Sequence, residues 1–276
     1  MNTLLDIEEL VVQFELEREG VIRAVDTLSL TVREGETLGL VGKSGSGKSV
    51  LAHSILRLVP SLGEICSGRV VWKGEDLLDF SEKEMRAVRG GEIAMISQNA
   101  QLSLNPVYSV GKQLVDIITL HRDCSSEEAK EIAVQLLKDV RVPEAVGRLD
   151  NYPHQFSQGM CQRIMIAAAL ACQPRLLIAD EPTASLDVVV QSEIMDLLRS
   201  ISADQKYNMT VLFISHDLGV VAQLCDRVAV MRDGQILEVG SAEDIYARPE
   251  HEYTQQLLEA VPVPDPGAQS EKVAVS

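Results

Sequence analysis

The sequence lacks an excess of positive charge. Its 25 Lys and Arg residues are outnumbered by 41 Asp and Glu residues, which gives the 276 residues a formal net charge of -16. Binding to nucleic acid or to anionic lipid depends on basic patches. The composition therefore argues against nucleic acid as the main ligand and against direct adhesion to a membrane surface. Any anionic ligand has to be held by a local group of residues.

The sequence also lacks long hydrophobic runs and paired cysteines. Its longest apolar run, Ile164–Cys172, is far short of the roughly 20 residues of a transmembrane helix. The N-terminal segment MNTLLDIEEL is acidic and has no signal-peptide pattern. The five cysteines are scattered without a C-x-x-C pair, which argues against disulfides, metal binding and redox use. We expect a cytosolic chain with reduced, mostly buried thiols.

The chain alternates between strands and helices on both sides of a helical middle segment. Short strands are predicted at Leu10–Phe14, Val21–Val25, Ser29–Val32 and Thr37–Val41. The middle segment, about residues 99–159, shows helical periodicity. Capping boxes predict helix starts at Ser81, before this segment, and at Ser125 within it. Alternation resumes at Arg175–Ala179, and Val261–Pro266 begins a Pro-rich tail, extended or disordered. The pattern predicts a parallel α/β core with a helical insertion.

A glycine-rich loop matches G-x-x-x-x-G-K-[ST] without a mismatch between a predicted strand and helix. Its glycines let successive backbone N–H groups converge on phosphate oxygens. Lys48 is expected to reach the β- and γ-phosphates, and the Ser49 hydroxyl to coordinate Mg²⁺. The expected nucleotide-binding residues are Gly42, Lys43, Ser44, Gly45, Ser46, Gly47, Lys48, Ser49 and Val50.

Polar side chains follow three further predicted strands. Asp180 is expected to hold Mg²⁺ at the end of its strand, and Glu181 to act as general base toward water. Gln98 can contact the metal and the attacking water, with a polar cap as its alternative role. His216 can contact the γ-phosphate and orient water, with a purely structural role as its alternative.

A second candidate anion site comes before the predicted helix Cys161–Ala171. Ser157 and Gly159 stand there beside the free N–H groups of a helix start. Since the chain already has one complete phosphate loop, the second site suggests contact with a partner's nucleotide. Two chains packed head to tail would then enclose two ATP molecules.

Taken in order, these motifs resemble the nucleotide-binding subunits of ABC transporters, over about residues 5–260. The motifs are Gly42–Ser49, Gln98, Phe156–Met160, Leu176–Glu181, Ser185–Asp187 and His216. The resemblance implies an α/β fold: a RecA-like P-loop core with an antiparallel β subdomain and an inserted helical subdomain at about 99–164. It implies one ABC ATPase domain over 1–260, followed by a disordered tail over 261–276.

The same resemblance implies roles for individual residues in a dimer closed by ATP and Mg²⁺. Catalysis would use Glu181, His216, Gln98 and Lys48, and the metal ligands would be Ser49, Gln98 and Asp180. The signature Ser157, Gln158, Gly159 and Met160 would contact the partner's ATP. Asp187 would signal across the dimer. Phe14 is the best match for the aromatic that stacks on adenine, although a Phe at a strand end is more often part of the core.

Three segments resemble the peptide/nickel importer branch more closely: Ser103–Pro106, Tyr152–His154 and Ile178–Thr183, together with Met160. This branch implies two transmembrane permease subunits, a second homologous ATPase chain and a solute-binding protein. The ATPase pair would be a heterodimer, with a homodimer as the alternative. The subunit would lie peripherally on the cytoplasmic face of the inner membrane. The cargo would be dipeptides, oligopeptides, nickel or metal chelates.

Two features depart from the branch. Many of its peptide members end in a cysteine-rich tail, but no cysteine follows Cys225; no iron–sulfur cluster is expected, which favours the nickel-type members. The signature has Gln158 where the branch usually has glycine, and Cys161 where arginine is common. We hypothesise that Gln158 weakens the site on the partner's ATP. The alternative is a side chain that points outward without effect.

Two other classes of ABC protein are alternatives to an importer subunit. A soluble ABC ATPase of DNA repair or translation usually fuses two cassettes or inserts a long coiled coil after Gln98. The segment from Gln98 to Ser157 carries no long heptad array. A non-catalytic cassette is disfavoured because Lys48, Asp180, Glu181 and His216 are intact.

Overall fold

The computed structural model describes residues 2–16, 20–204 and 206–259, which form two β sheets and a set of helices. The strands are β1 (Thr3–Leu16), β2 (Gly20–Arg33), β3 (Thr37–Val41), β4 (Gly63–Trp72), β5 (Glu75–Asp76), β6 (Ile93–Ile96), β7 (Leu176–Asp180), β8 (Thr210–Ser215), β9 (Arg227–Arg232) and β10 (Gln235–Ser241). The helices are α1 (Lys48–Ile55), α2 (Glu82–Val88), α3 (Ala100–Ser103), α4 (Val110–His121), α5 (Ser126–Asp139), α6 (Ala145–Arg148), α7 (Gln158–Leu170), α8 (Val188–Ala203), α9 (Leu218–Leu224), α10 (Ala242–Ala247) and α11 (Glu252–Glu259).

The larger sheet has the strand order β10-β9-β3-β8-β7-β6 and is parallel except for β10. Alternate residues of its strands pack into two different cores. Leu177 and Ala179 pack on the side of the middle helices, whereas Leu176 and Ile178 pack on the side of the smaller sheet. Because both faces are covered, strands β3, β7 and β8 are buried throughout. Their carboxyl ends lie side by side at one edge of the sheet.

The smaller sheet is antiparallel, in the order β2-β1-β4-β5. It contains two long strands where the sequence predicted three short ones, so the predicted boundaries at Leu10–Phe14, Val21–Val25 and Ser29–Val32 are wrong. The register between β1 and β2 shifts on both sides of Leu10. Each bulge adds a residue and reverses the alternation of buried and exposed positions. A continuous strand therefore has the periodicity of several short ones.

Helices α3 to α7 lie between β6 and β7 in the chain and share one hydrophobic core with the larger sheet. The capping box predicted at Ser125 is present at the start of α5, and the one predicted at Ser81 starts α2. Ala129, Ala133 and Leu137 of α5 are buried, as their helical spacing predicted. The predicted α/β class, with an antiparallel sheet and a helical insertion, is confirmed.

Asp139, at the end of α5, joins the middle helices to the residues that follow α8. Its carboxylate accepts a hydrogen bond from the Tyr207 hydroxyl at 2.6 Å and one from Lys206 Nζ. Gln135 Nε2 donates to the same carboxylate at 2.8 Å. We call these residues, Gln135, Asp139, Lys206 and Tyr207, the Asp139 cluster.

The burial of the cysteines agrees only in part with the expectation of mostly buried thiols. Cys161 and Cys225 are buried free thiols, but Cys66 is exposed, because it lies in a strand of the smaller sheet with one open face. Burial raises the pKa of Cys172 to about 11. Among the described residues, no helix has the length and hydrophobicity to cross a bilayer. The predicted tail, 261–276, lies outside the described residues.

Candidate functional site

The glycine-rich loop connects β3 to α1 and passes close to the neighbouring chain segments. Gly45 and Gly47 have φ angles of +83° and +103°, in the region that favours glycine. A Cβ on Gly47 would lie 2.1 Å from the carbonyl oxygen of Ala24. A Cβ on Gly42 would lie 2.1 Å from the carbonyl oxygen of Met231. Larger residues at 42 and 47 would therefore force the loop apart.

Lys48 folds back over the loop that precedes it. Its ammonium donates hydrogen bonds to the carbonyl oxygens of Gly42 at 2.7 Å and Lys43 at 3.1 Å, and the residue is only 4% exposed. Burial lowers the pKa of Lys48, although the carboxylates of Glu181 and Asp180 act in the opposite direction. A bound phosphate would supply the negative charge that favours the protonated amine.

The Ser49 hydroxyl donates a hydrogen bond to Oδ1 of Asp180 at 3.1 Å. Asp180 is buried at the end of β7; burial raises its pKa, and the hydrogen bond from Ser49 opposes that shift. Two oxygen donors from different elements thus meet beside the loop. Hydroxyl, carboxylate and carboxamide oxygens are the ligands that Mg²⁺ prefers. The donor set of Ser49, Asp180 and the nearby Gln98 fits this metal.

Glu181 is in contact with side chains from two other strand ends. Its Oε2 lies 3.3 Å from Nδ1 of His216 and 3.5 Å from Nε2 of Gln98. The backbone of Glu181 has a φ of +46°, and its N–H donates to the carbonyl oxygen of Ile214 at 3.0 Å. This turn directs the carboxylate back across the edge of the sheet. Gln98, Glu181 and His216 are therefore brought together as three strand-end residues.

A cavity of about 290 Å³ lies over the loop. Its lining residues are Ala24, Ser44, Gly45, Ser46, Gly47, Lys48, Ser49, Val50, Gln98 and Glu181. Phe14 does not line it. A Cβ on Gly63 would lie 2.7 Å from the Phe14 ring, so this ring packs on the neighbouring strand β4.

Ala24 and Tyr253 are among the residues that contact the loop and that sequence reasoning missed. Ala24 lies in β2 and lines the cavity, and a small residue in a strand carries no motif that could have identified it. Tyr253 lies in α11, and its hydroxyl accepts a hydrogen bond from the backbone N–H of Lys43 at 3.2 Å. A lone tyrosine in a late helix has the pattern of a core residue.

The second candidate anion site is the start of α7. Ser157 is the N-cap, and its hydroxyl accepts from the Met160 N–H at 3.3 Å. The helix begins at Gln158, so the predicted start at Cys161 is wrong; the Ser157 cap adds the signature residues as a first turn. The backbone of Gln158 is helical and its side chain is exposed. Glycine is thus not required there by backbone conformation.

Gly159 packs against the helix that Asp187 starts. A Cβ on Gly159 would lie 2.6 Å from Cγ1 of Val190. The Asp187 carboxylate caps α8 by accepting from the N–H groups of Val189 and Val190 at 3.1 and 3.0 Å. Val190 therefore contacts both the signature turn and the Asp187 cap. Its neighbours Val188 and Val189 are 81% and 70% exposed.

Comparison with known proteins assigns this arrangement to a family. Residues 25–184 match the family model described as ABC transporter, and residues 237–275 match the one described as oligopeptide/dipeptide transporter, C-terminal region. The chain is 48% identical to a probable peptide ABC transporter ATP-binding protein, y4tR, of Sinorhizobium fredii, over 98% of this chain and 80% of the relative. It is 46% identical to the oligopeptide transport ATP-binding protein OppD of Salmonella typhimurium, over 95% of this chain and 77% of the relative.

The fold is similar to that of solved ATP-binding cassettes. The dimeric, post-hydrolysis structure of the cassette MJ0796 bound to ADP and Pi aligns with a TM-score of 0.75 and 27% identity. The alignment covers 87% of this chain and 99% of that chain. With its phosphate loop, its strand-end carboxylates and these relatives, the chain belongs to the ABC transporter family and is one of its nucleotide-binding ATPases.

Proposed function

We propose that this chain is the ATP-hydrolysing subunit of a peptide importer. The observation that carries the proposal is the position of Glu181 between Gln98 and His216, beside the Ser49–Asp180 pair. The peptide cargo is supported by the match of residues 237–275 and by the names of the two relatives. Both names describe transport proteins, which disfavours a soluble ATPase outside transport.

The proposed reaction gives distinct roles to the phosphate loop and to the polar side chains beside it. Residues 42–50 form the phosphate site, in which backbone N–H groups other than that of Lys43 hold the phosphates, and Lys48 neutralises the β- and γ-phosphate charge. Mg²⁺, held by Ser49, Asp180 and Gln98, would supply charge neutralisation on the phosphate oxygens. Glu181 accepts the proton of the water that attacks the γ-phosphorus, and ADP leaves with the β–γ bridging oxygen. His216 holds the Glu181 carboxylate in place, contacts the γ-phosphate and orients the attacking water.

The signature turn would act on the nucleotide of a second ATPase chain. An N-capped helix start with free N–H groups favours a bound anion, and the first turn of α7 is such a start. Ser157, Gln158, Gly159 and Met160 would contact the partner's ATP, and Asp187 would signal across the interface through Val190. ATP would favour the closed dimer, and hydrolysis would remove that preference. A heterodimer with a homologous chain is proposed.

The proposed assembly contains two permease subunits and a solute-binding protein, with this chain peripheral on the cytoplasmic face of the inner membrane. Within the chain we propose one ATPase domain over 1–260, with residues 99–164 as its helical subdomain. The grouping of α3 to α7 between β6 and β7 supports that division. Phe14 remains the proposed adenine contact, which would require its ring to move from Gly63. Nickel or metal chelates remain the second candidate cargo.

Reconstitution of the transporter in proteoliposomes tests the proposal. We expect a dipeptide or tripeptide, presented with the solute-binding protein, to stimulate ATP hydrolysis and to accumulate inside, and nickel to do neither. Glu181→Gln should abolish uptake while ATP binding is retained. Glu131→Gln, at an exposed position on α5, is the matched control and should leave uptake unchanged. Uptake of nickel without peptide would refute the cargo, and hydrolysis by Glu181→Gln at the wild-type rate would refute the role of Glu181.

A further inference from the structure

Helix α11 contacts the phosphate loop through one buried side chain. Tyr253 is 3% exposed, and its hydroxyl accepts a hydrogen bond from the N–H of Lys43, the second residue of the loop. The carbonyl oxygen of Lys43 accepts from Lys48 Nζ. Lys43 therefore links the Tyr253 hydroxyl to the ammonium of Lys48, the lysine proposed to contact the phosphates. On the ring of Tyr253, the guanidinium of Arg232 lies 4.9 Å from the centroid, within cation–π range.

Glu238 of β10 holds α11 in this position. Its carboxylate accepts hydrogen bonds from the N–H groups of Glu250 at 2.8 Å and His251 at 3.1 Å, and from the Thr254 hydroxyl at 2.5 Å. Burial raises the pKa of Glu238, but these hydrogen bonds outweigh burial and lower it below its ordinary value. The carboxylate is thus ionised at neutral pH. Thr254, next to Tyr253, is fully buried.

We propose that α11 positions the phosphate loop for nucleotide through the Tyr253 hydroxyl, an inference that rests on the proposed use of Gly42–Ser49 as the phosphate site. Two glycines of the loop, Gly45 and Gly47, have left-handed backbone, and glycine is the residue with the most conformational freedom to lose. Holding the Lys43 N–H restricts the loop before ATP arrives and lowers the entropic cost of binding. Tyr253 is then a positioning residue, and part of the C-terminal region, 237–275, acts on the nucleotide site.

The test is nucleotide affinity of the full chain, measured by titration with a fluorescent ATP analogue, together with kcat and KM in the assembled transporter. Tyr253→Phe removes only the hydroxyl. We expect its nucleotide affinity to fall about three- to tenfold, the effect of one hydrogen bond, and kcat to stay within about twofold of the wild-type rate. The matched control is Tyr246→Phe, because the Tyr246 hydroxyl donates to the carbonyl of Leu218, away from the loop. The control should bind nucleotide with wild-type affinity.

A second variant tests the route through Glu238. Glu238→Gln should weaken nucleotide binding although Tyr253 is intact, and combining it with Tyr253→Phe should weaken binding little further, because both changes release the same contact. Fully additive losses of nucleotide affinity in the double variant would contradict the proposal that Glu238 acts through Tyr253. Equal affinity of Tyr253→Phe and Tyr246→Phe would overturn the proposal. So would a lower unfolding midpoint of Tyr253→Phe without nucleotide, accompanied by normal affinity, because Tyr253 would then serve folding alone.

Lys48→Ala separates this inference from the proposed function. If Lys48→Ala loses nucleotide binding and Tyr253→Phe keeps it, the phosphate site stands and the role of Tyr253 is wrong. If Lys48→Ala binds nucleotide with wild-type affinity, the phosphate site itself is wrong.

Discussion

Nδ1 of His216 lies 3.3 Å from Oε2 of Glu181. The same oxygen is within reach of Gln98, so side chains from two other strand ends fix the orientation of one carboxylate. A general base acts efficiently only when its lone pair faces the attacking water. From the contact we propose that His216 positions Glu181, the proposed general base, beside any contact that it makes with phosphate.

Replacing His216 with alanine should lower kcat more than it changes nucleotide affinity. Without the imidazole, Glu181 loses one of two partners and samples orientations that cannot take the proton. We expect kcat to fall about 10- to 100-fold, at or below the lower end of what general acid–base catalysis contributes, because Glu181 itself remains. ATPase kinetics and nucleotide titration of the same variant separate the two quantities. His154→Ala, which removes an exposed histidine stacked on Tyr152, should leave both unchanged; a loss of affinity with normal kcat in His216→Ala would contradict the positioning role.

Some residues of the candidate site could be placed from the sequence, and others could not. Gly42–Ser49 runs from the end of β3 into the first turn of α1, and its glycine and lysine pattern is local in the sequence. Asp180 ends a buried strand and Glu181 follows it, so parallel pairing alone places them near the loop. The contact of Tyr253 with Lys43 joins distant parts of the chain and depends on how β10 and α11 pack. Local sequence carries no signal for such a contact.

The predicted ends of strands and helices were wrong where a single residue changes the hydrophobic pattern. The register shifts around Leu10 reverse the alternation in β1, so two long strands had the pattern of short ones. In α7 the hydrophobic pattern starts at Cys161, but the Ser157 cap starts the helix at Gln158. A cap stabilises a first turn that has no hydrophobic face of its own. The difference matters because this first turn contains the signature residues.

Gly159→Ala should destabilise the protein because the added methyl overlaps Val190. The Cβ would lie 2.6 Å from Cγ1 of Val190, so the Val190 side chain, α7 or α8 must shift. We expect a loss of about 1–3 kcal/mol in the free energy of unfolding, typical of overpacking. Urea denaturation measures it. Val190→Ala should recover most of the loss in the double variant, and a double variant no more stable than Gly159→Ala would show that Val190 is not the obstacle.

Gln158→Gly should raise the ATPase rate of the assembled transporter. The exposed Gln158 side chain stands at the start of α7, where an approaching phosphate would meet the helix N-terminus. Removing it lets the backbone come closer to the phosphate. We expect a two- to tenfold gain in ATPase rate, on the order of 1 kcal/mol of recovered contact.

The folding stability of Gln158→Gly should fall slightly, by up to about 1 kcal/mol, because glycine is a poor helix residue. Gln158→Ala serves as the control for side-chain removal with helix propensity kept, and no gain from either variant would favour a side chain that points outward without effect.

Asp139→Asn should destabilise the protein at neutral pH and much less in acid. Burial raises the pKa of Asp139, but hydrogen bonds from Lys206, Tyr207 and Gln135 outweigh burial and lower it below its ordinary value. A carboxyl whose folded pKa is lowered contributes stability above its unfolded pKa, about 3.9, and loses that contribution as the pH falls through the folded pKa. We expect a loss of about 1–2 kcal/mol at pH 7, because the Asp139 cluster loses charge-assisted hydrogen bonds.

Urea denaturation at pH 7, 5 and 3.5 measures how that loss depends on pH. The difference between Asp139→Asn and the unsubstituted protein should be nearly constant from pH 7 to 5 and smaller at pH 3.5. The control is Asp116→Asn, which removes an exposed carboxylate paired with Lys112 on one face of α4; such a pair contributes about 0.3–0.5 kcal/mol. If Asp139→Asn costs the same at all three pH values, the cluster stabilises the protein by packing and not by the charge of its carboxylate. The attachment of α5 to the residues after α8 would then be independent of pH.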